Sequence, residues 1–568
     1  MDLVLDIETD SKKTKVWLCY THNSDTDEYV CHTKPDTLIP LINKADRLIG
    51  HNLIGFDAPL LNKLWGTRIG LKKVRDTLIM SRLLNPSIEN GHSLEAWGKR
   101  LGNNKVEYTR IWHWWANKQF DKGSVEPYDN PWEPLNDFYC KQDVAVTVEL
   151  YRYLTEQLEG WGESVQLEHD VAAILKRQEE HGFKFDEQKG QSLLAILSGE
   201  VADIESELQD TFPPIVEERV SEKTGKPLKT KVTPFNPGSR QQIAERLIGL
   251  GAKLSEVTEK GSVIVNEKVL AGIDLPEAKL INRYLLLQKR ISQVSSWFDV
   301  VREDGRVHGR VITNGAVTGR MTHMSPNMAQ VPSSGSEYGK ECRELWTVDV
   351  GNKLVGADAS GLELRMLAHY MQDKAYINTV VNGNKDEGTD IHTVNMKAAG
   401  LQTRDQAKTF IYALLYGAGP GKIGSIIGGS SKEGHRIMET FFRKTPALEM
   451  LKEKVSVAAE KGWIRGLDGR HIMVRSEHAA LNTLLQGAGA IVMKKALVIL
   501  HERLKCGIIS AKFCANVHDE WQIEVPEEDA DRVGKMATQA IEDAGKHFNM
   551  RCPLTGEYNV GNTWKDTH

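Results

Sequence analysis

Two strand-like runs, Lys512-Phe-Cys-Ala-Asn-Val517 and Trp521-Gln-Ile-Glu-Val525, stand so close that His518-Asp519-Glu520 between them must form a hairpin turn. That turn sets two carboxylates at the end of a sheet. Earlier in the chain, Lys353-Leu-Val-Gly-Ala-Asp358 reads as another strand ending on an acid. Gly361-Leu-Glu-Leu-Arg-Met-Leu-Ala-His-Tyr370 reads as the helix that follows it. An acid at a strand-to-helix junction is well placed to present its carboxylate into a cleft.

Between these acidic places lies Arg404-x-x-x-Lys408-x-x-x-Tyr412-x-x-x-Tyr416-Gly417. The constant spacing puts all four side chains on one helical stripe. Two cations followed by two aromatic rings suit neither an apolar core face nor an ordinary solvated one. Cations suit a triphosphate, and an aromatic ring suits a base or a sugar. Gly419-Pro-Gly421-Lys-Ile-Gly424 satisfies G-x-G-x-x-G, but it follows a helix rather than a strand. It is therefore read as the loop ending that helix and not as a dinucleotide site.

The N-terminus holds a second acidic set. In Asp6-Ile7-Glu8 the two carboxylates project to the same face of a strand, where they repel unless they share a cation. Asn52-Leu-Ile-Gly-Phe-Asp57 fits N-x-x-x-[FY]-D. Tyr139-Cys-Lys-Gln-Asp143 puts Tyr139 and Asp143 one helical turn apart on one face.

With 568 residues, 40% hydrophobic and 26% charged, the chain is long enough for several domains and ordinary for a globular protein. The formal net charge of −5 gives no global footprint of nucleic-acid binding, so any such surface must be locally basic. The excess acid then sits elsewhere, or where metal ions neutralise it. The seven cysteines (19, 31, 140, 342, 506, 514, 552) form no C-x-x-C pair, so neither a zinc site nor a disulfide framework is expected, in keeping with a reducing cytosol. No apolar run is read as a membrane span, and Met1–Asp6 reads as the start of a strand rather than as a signal peptide. Residues 1 to 157 alternate strands with helices, with Leu3–Ile7, Lys15–Tyr20 and Arg47–Gly50 as strands. Ala58–Leu64 and Val144–Leu158 are helical there. Val165–His181, Gln191–Thr211 and Glu277–Val301 are long amphipathic helix candidates, and Phe212–Asn236 reads as an exposed loop or hairpin. The Trp112-His-Trp-Trp115 cluster is either core or a contact surface.

The three N-terminal acidic patterns, in this order and spacing, resemble the exonuclease motifs of the DnaQ-like proofreading nucleases. The resemblance implies that Asp6, Glu8, Asp57 and Asp143 ligate metal and that Tyr139 positions the attacking water, with a packed-helix role for Tyr139 left open. Two divalent ions roughly 3.5–4 Å apart activate the water and stabilise the leaving oxygen. The remaining words resemble the family A DNA polymerases. Asp358-Ala-Ser-Gly-Leu-Glu-Leu-Arg365, the Arg404–Tyr416 stripe and His518-Asp519-Glu520 match its motifs A, B and C. Thr318-Gly319-Arg320 and Asn482-Thr-Leu-Leu-Gln486-Gly487 match as well. Thr403–Gly419, Trp463–Arg470 and His478–Gln486 read much like the replicative polymerases of T-odd-type podophages, and the likeness covers nearly the whole chain.

This resemblance implies an α/β and α+β multidomain protein. An RNase H-like exonuclease domain over 1–157 precedes a right-hand polymerase domain over 158–568. The thumb falls at about 158–300, the palm at about 301–375 and 468–568, and the fingers at about 376–467. No 5′-nuclease domain is expected ahead of it. Asp358 and Asp519, with the backbone carbonyl of Ala359, are expected to hold two Mg²⁺ ions, for which Mn²⁺ can substitute. Arg404 and Lys408 grip the dNTP phosphates, with Lys408 protonating the leaving group and His392 joining them. Glu363 blocks a 2′-hydroxyl, Tyr412 faces the sugar and Tyr416 stacks near the template base. Glu520 and His518 support the primer end. Arg320, Asn482 and Gln486 touch the minor groove, where every base pair presents acceptors, although packing or phosphate roles stay open for them.

The partners implied are primer-template DNA, dNTPs, and a phage helicase-primase and single-strand-binding protein, in the host cytoplasm and without a membrane. The best-known relative carries a long thumb insertion that binds thioredoxin. Phe212–Pro234 is far too short to house it, so thioredoxin dependence is not expected. Lys223, Lys226, Lys229 and Lys231 are left there as candidate phosphate contacts. Two rivals remain. One is a DNA-binding accessory on a dead polymerase, which the intact ligands at both sites oppose. The other is a single-subunit RNA polymerase, which Glu363 and the exonuclease motifs oppose.

Overall fold

A computed structural model describes all residues except 121–124, 221–224, 226, 255–256, 258–260 and 262. Near the N-terminus, the strand Asp2–Thr9 buries Leu3, Leu5 and Ile7 on one face against Leu38, Ala58 and Leu61. Its alternate residue Val4 packs on Val144 and Val148 of the helix Glu133–Gln157. The strand therefore aims Asp6 and Glu8, which share Val4's face, at that helix. It lies third in a five-stranded sheet ordered Glu28–His32, Val16–Asn23, Asp2–Thr9, Arg47–Gly50, Val74–Asp76. Val16–Asn23 runs antiparallel to it, and the other three strands run parallel to it.

The helix Glu133–Gln157 starts well before the expected Val144, because Tyr139, Cys140 and Asp143 all lie on it. Pro134 at its first turn and the mixed polarity of its early turns hid its start from a periodicity reading. The next helix, Gly162–His181, joins two cores. Ala172 packs with the N-terminal sheet, while Val171, Ile174 and Leu175 pack with the main core. His169 fixes it there: Nε2 accepts from the Asp76 amide at 2.7 Å and Nδ1 donates to the Val165 carbonyl.

The second sheet is antiparallel, ordered Lys512–Val517, Glu520–Pro526, Asn352–Ala359, Gly556–Gly561. Val355, Ala357 and Ala359 bury into the main core, which also contains Ala537, Ile541 and Ala544 of the helix Ala530–His547. Asp358 sits on the alternate face. Gly356, on that same face, leaves room for the chain's last residues, because a Cβ there would stand 2.5 Å from the Thr567 carbonyl. The turn in the hairpin is His518-Asp519, and Glu520 is already in the strand rather than part of the turn.

The helix Ala480–Cys506 passes a length-and-composition test for a membrane span, against the sequence expectation that no apolar run does. Most of its apolar window is buried inside the protein, where it is the central helix of the main core. The helices Glu187–Thr211 and Pro276–Phe298 pack together, and Ile215–Val220 pairs with Pro227–Thr233 as the expected hairpin. Lys229 is exposed there and Lys231 pairs with Glu217 at 3.4 Å, whereas Lys223 and Lys226 lie outside the described residues. The helix Arg404–Leu415 opens on a capping box between Thr403 and Gln406. Tyr416 is its cap residue. The glycine-rich segment after it starts a new helix, Pro420–Ile426, rather than forming only a loop, since Pro420 suits a first helical turn. In the Trp cluster, Trp112 is buried and Trp115 stacks on Trp132 at 5.6 Å, while Trp114 is exposed. The cluster is thus core on the side of Trp112 and Trp115 and exposed at His113 and Trp114.

Two candidate active sites

The N-terminal centre gathers all four expected acids. Asp57 starts the helix Asp57–Trp65, and its Oδ1 accepts from the Ile7 amide at 3.2 Å, which ties it to the strand of Asp6 and Glu8. Carboxylate oxygens of Asp6 and Glu8 and the Cys140 sulfur lie within 4.8 Å of one another. The Cys140 thiol donates to the Asp6 carbonyl at 3.4 Å. Asp143 projects from the helix turn after Tyr139 and is buried.

Burial, reinforced by neighbouring acids, raises the pKa of Asp6 to about 7 and pushes Glu8 and Asp57 well above the carboxylate range. Asp6 and Glu8 have no ion-pair partner among the described residues. Asp143 Oδ1 is buried without any hydrogen-bond partner. A cluster of hard oxygen donors with an orphaned buried oxygen fits divalent cations.

Lys105 went unnoticed in the sequence. Its Nζ stands 2.5 Å from Asp143 Oδ2 and donates to the Tyr139 hydroxyl at 2.9 Å. Burial opposes its charge, yet the Asp143 carboxylate holds it protonated above the ordinary lysine value. No spacing rule links residue 105 to residue 143, so only the fold reveals the contact. Tyr139 also packs its ring 4.9 Å from Tyr108, so it is both a packed residue and a member of the centre.

The second centre lies at the end of the antiparallel sheet. Asp358 stands opposite Glu520 in the register, and the Ala359 amide donates to the Asp519 carbonyl at 3.2 Å. The expected pair thus comes together from positions far apart in sequence. Burial, with Asp519 next, raises Asp358 to about 7; burial, with Glu363 next, raises Asp519 to about 6. Neither has an ion-pair partner among the described residues, and this donor set also fits divalent cations. Glu520 differs. His568 Nδ1 at 2.9 Å, Trp564 Nε1 at 2.5 Å and Gln522 Nε2 at 2.5 Å all face it. Against its burial, those donors lower its pKa. The chain's last residues therefore buttress this centre, a role that no local pattern in the sequence announces.

Glu363, in the first turn of the helix Leu362–Met371, meets Arg320 Nη2 at 3.1 Å and accepts from the Tyr416 hydroxyl at 3.4 Å. Tyr412 is half-buried, its phenol raised to about 12 by burial and by Glu363. Lys408 is exposed. Arg404, expected at the phosphates, is held by Asp390 here: its Nε and Nη2 each reach Asp390 Oδ1 at 3.0 Å. Asp390 also caps the helix that carries His392, whose ring lies 6.3 Å from Tyr412 and whose Nδ1 is buried without a partner. Asn482 and Gln486 are half-buried, one turn apart on the helix Ala480–Cys506. Gly487 lets that helix pack close to Ile472 and the Thr318 carbonyl, since a Cβ there would stand 2.4 Å from the Ile472 side chain and 3.3 Å from that oxygen. His518 is exposed at the turn with φ +57°.

A third cluster, His181, Cys514 and Glu524, has ligand atoms within 4.8 Å of one another. Arg306 Nη1 already stands 2.9 Å from Glu524 there, so the cluster is an ion-pair network.

An acid-lined sheet end flanked by a helix of cations and tyrosines is an arrangement suited to nucleotidyl transfer. The chain belongs to DNA polymerase family A, whose description matches residues 209–566. It is 33% identical to the DNA-directed DNA polymerase of Enterobacteria phage T3, with 94% of each chain covered. It is 33% identical to that of Escherichia phage T7, with 100% of each covered. In fold it is similar to the POL domain of Pol1 from M. smegmatis, solved in complex with DNA primer-template and dNTP. The TM-score is 0.80 at 19% identity, covering 100% of this chain and 96% of that one.

Proposed function

We propose that this chain replicates a phage genome in the host cytoplasm, copying a DNA template from dNTPs and proofreading with a 3′→5′ exonuclease of its own. The observation that supports synthesis most is the meeting of Asp358 with Asp519 beside Glu363 and the Arg404–Tyr416 face. In this reading residues 1–157 are the exonuclease domain and 158–568 the polymerase domain, with thumb, palm and fingers bounded as expected above. Asp358, Asp519 and the Ala359 carbonyl would hold two Mg²⁺ or Mn²⁺ ions, which lower the pKa of the primer hydroxyl and neutralise the triphosphate.

The primer 3′-oxygen bonds to the α-phosphorus of the dNTP as the bond to the β-phosphate oxygen breaks, releasing pyrophosphate. Lys408 and Arg404 bind the β and γ phosphates, Arg404 exchanging Asp390 for phosphate, and Lys408 delivers the proton to the leaving oxygen. Glu363 excludes ribose, Tyr412 faces the sugar and Tyr416 the template base. Arg320, Asn482 and Gln486 donate to the minor groove, and His518 and Glu520 support the primer end. At the other centre Asp6, Glu8, Asp57 and Asp143 would hold the ions, and Tyr139, fixed by Lys105, orients the attacking water. Primer-template DNA and dNTPs are its partners, with a helicase-primase and a single-strand-binding protein beside it.

A 5′-labelled primer-template with Mg²⁺ tests both halves. Added dNTPs should lengthen the primer and rNTPs should not, while omission of dNTPs should shorten it stepwise from its 3′ end. A primer that never lengthens overturns the synthetic reading, and one that stays intact without dNTPs overturns the proofreading one.

A further inference from the structure

The N-terminal domain and the polymerase body meet across a seam that the chemistry above leaves unused. The strand Arg310–Ile312 pairs antiparallel with Thr322–Met324, and the loop between them brings Arg320 to Glu363. At the other end of the same hairpin, Arg310 Nη2 lies 3.3 Å from Asn52 Oδ1, in the segment that leads to Asp57. Asn314 adds a hydrogen bond of 3.2 Å to the Ile79 carbonyl. One hairpin therefore links Glu363 at the palm centre to the Asn52 and Ile79 segments of the N-terminal domain. Where it crosses, a cleft of about 60 Å³ is lined by Asn52, Asp76, Arg82, Lys176, Glu179 and Arg310 among others.

The charges in this cleft do not cancel locally. Lys176 pairs with Glu179 at 3.5 Å. The Asp76 carboxylate is occupied by the backbone amides of Asn52, Ile54 and Leu78 at 2.9–3.0 Å. Arg82 is half-buried and has no hydrogen-bond or ion-pair partner among the described residues. Burial and the Arg310 guanidinium both work against its charge, and Asp76 favours it. Among the described residues, Arg310 has only the neutral Asn52 oxygen as a hydrogen-bond partner. Two guanidinium groups that line one cleft and repel each other, beside carboxylates already engaged by backbone amides (Asp76) and by Lys176 (Glu179), leave room for an anion. Their planar donor geometry matches a phosphate. The anion that a DNA-handling protein meets at a seam between two DNA-processing centres is the phosphodiester of the strand itself.

We propose that Arg82 and Arg310 form a phosphodiester-binding site in the seam, which grips the primer strand where it passes from the palm to the N-terminal centre. This rests on the proofreading reading above. The test compares the wild-type chain with the double variant Arg82→Gln/Arg310→Gln, and with Arg82→Lys/Arg310→Lys, which keeps the charge. Matched primers should be extended at the wild-type rate by all three. Removal of a mismatched 3′ nucleotide from a primer-template should slow about tenfold or more in the Gln variant, the loss expected for charge-assisted bonds to phosphate. The Lys variant should lose less. Binding of a primer-template with a frayed 3′ end should lose salt dependence in the Gln variant. The log–log slope should become shallower by about 0.7–0.9 for each contact removed. Without DNA, the Gln variant should melt close to wild type, because relief of the repulsion between the two guanidinium groups offsets the lost attraction of Asp76 for Arg82 and the lost Asn52 contact.

Unchanged mismatch removal with an unchanged salt slope overturns the proposal. So does a Gln variant that melts lower and loses matched extension and mismatch removal in proportion, for the arginines are then structural. If the wild-type chain shortens no DNA at all, the proofreading reading fails, and the salt slope still reads the seam site on its own.

Discussion

Asp358 and Asp519 keep their protons to unusually high pH, because burial and nearby acids penalise the second negative charge. A carboxyl whose folded pKa is raised contributes stability that is full below its unfolded value near 4 and lost as pH rises through its folded one. For Asp519 that loss spans the range from about 4 to about 6. In EDTA, Asp519→Asn should therefore stabilise the protein by about 1–3 kcal/mol at pH 8 and by little at pH 4. Thermal melts at both pH values check it, and equal shifts at both would contradict it. Tyr412 gives a second residue-scale prediction. A dNTP brings a 3′-hydroxyl that can bond its own β-phosphate, and a dideoxynucleotide does not. The Tyr412 hydroxyl can supply the missing bond, and an unsatisfied buried polar group costs about 1–3 kcal/mol, or roughly 5- to 150-fold in rate. Tyr412→Phe should depress dideoxynucleotide use by about that factor with little change for dNTPs, measured in an Asp6→Ala/Glu8→Ala background. Equal use by both forms would show that Tyr412 does not face the sugar. These acids and tyrosines were legible in the sequence because strand ends and i,i+4 stripes are local patterns. Lys105 on Asp143, Asp390 on Arg404 and His568 on Glu520 were not, because each pairs residues that no local period connects.

At the scale of elements, one buried quartet ties four segments together. Glu168, on the helix Gly162–His181, meets Arg470 Nη1 at 2.5 Å and Lys494 Nζ at 2.6 Å. Arg470 also pairs with Asp468 at 2.6 Å, and Lys494 donates to the Gly319 carbonyl at 2.8 Å. The quartet thus anchors the residue next to Arg320. Against full burial, the two cations hold Glu168 down to about 2. Glu168→Gln leaves buried cations short of one charge and should cost about 3–5 kcal/mol in urea unfolding at pH 7. A depressed carboxyl contributes stability that is present above its unfolded pKa and lost as pH falls through the folded one. The gap between wild type and variant should therefore narrow as pH falls from about 4.5 towards 2. A gap that does not change with pH would contradict the pairing. Most long elements were legible because their apolar spacing is regular, as in Glu187–Thr211 and Pro276–Phe298. The early turns of Glu133–Gln157 and the short helix Pro420–Ile426 were not, because polar site residues and glycines mask the helical period.

At the scale of the whole molecule, the alignment with the phage T7 relative runs over 713 positions against the 568 residues here, so that relative carries segments this chain lacks. The hairpin of Ile215–Val220 and Pro227–Thr233 is short, and Lys229 is exposed on it. Adding thioredoxin should leave the length of primer-extension products unchanged, and a large increase would contradict this. The central claim is that two chemistries occupy two separate acid centres on two sheets. Primer extension and single-strand degradation by Asp519→Ala and by Asp6→Ala/Glu8→Ala, run side by side with Mg²⁺, test it most directly. Loss of metal ligands at a two-metal centre costs several kcal/mol of transition-state stabilisation, so each loss should be near-complete. Asp519→Ala should stop extension and still degrade single strands, and the double variant should extend primers and no longer degrade them. Extension at the wild-type rate by Asp519→Ala, or loss of both activities in either variant while its fold is intact, would contradict the account.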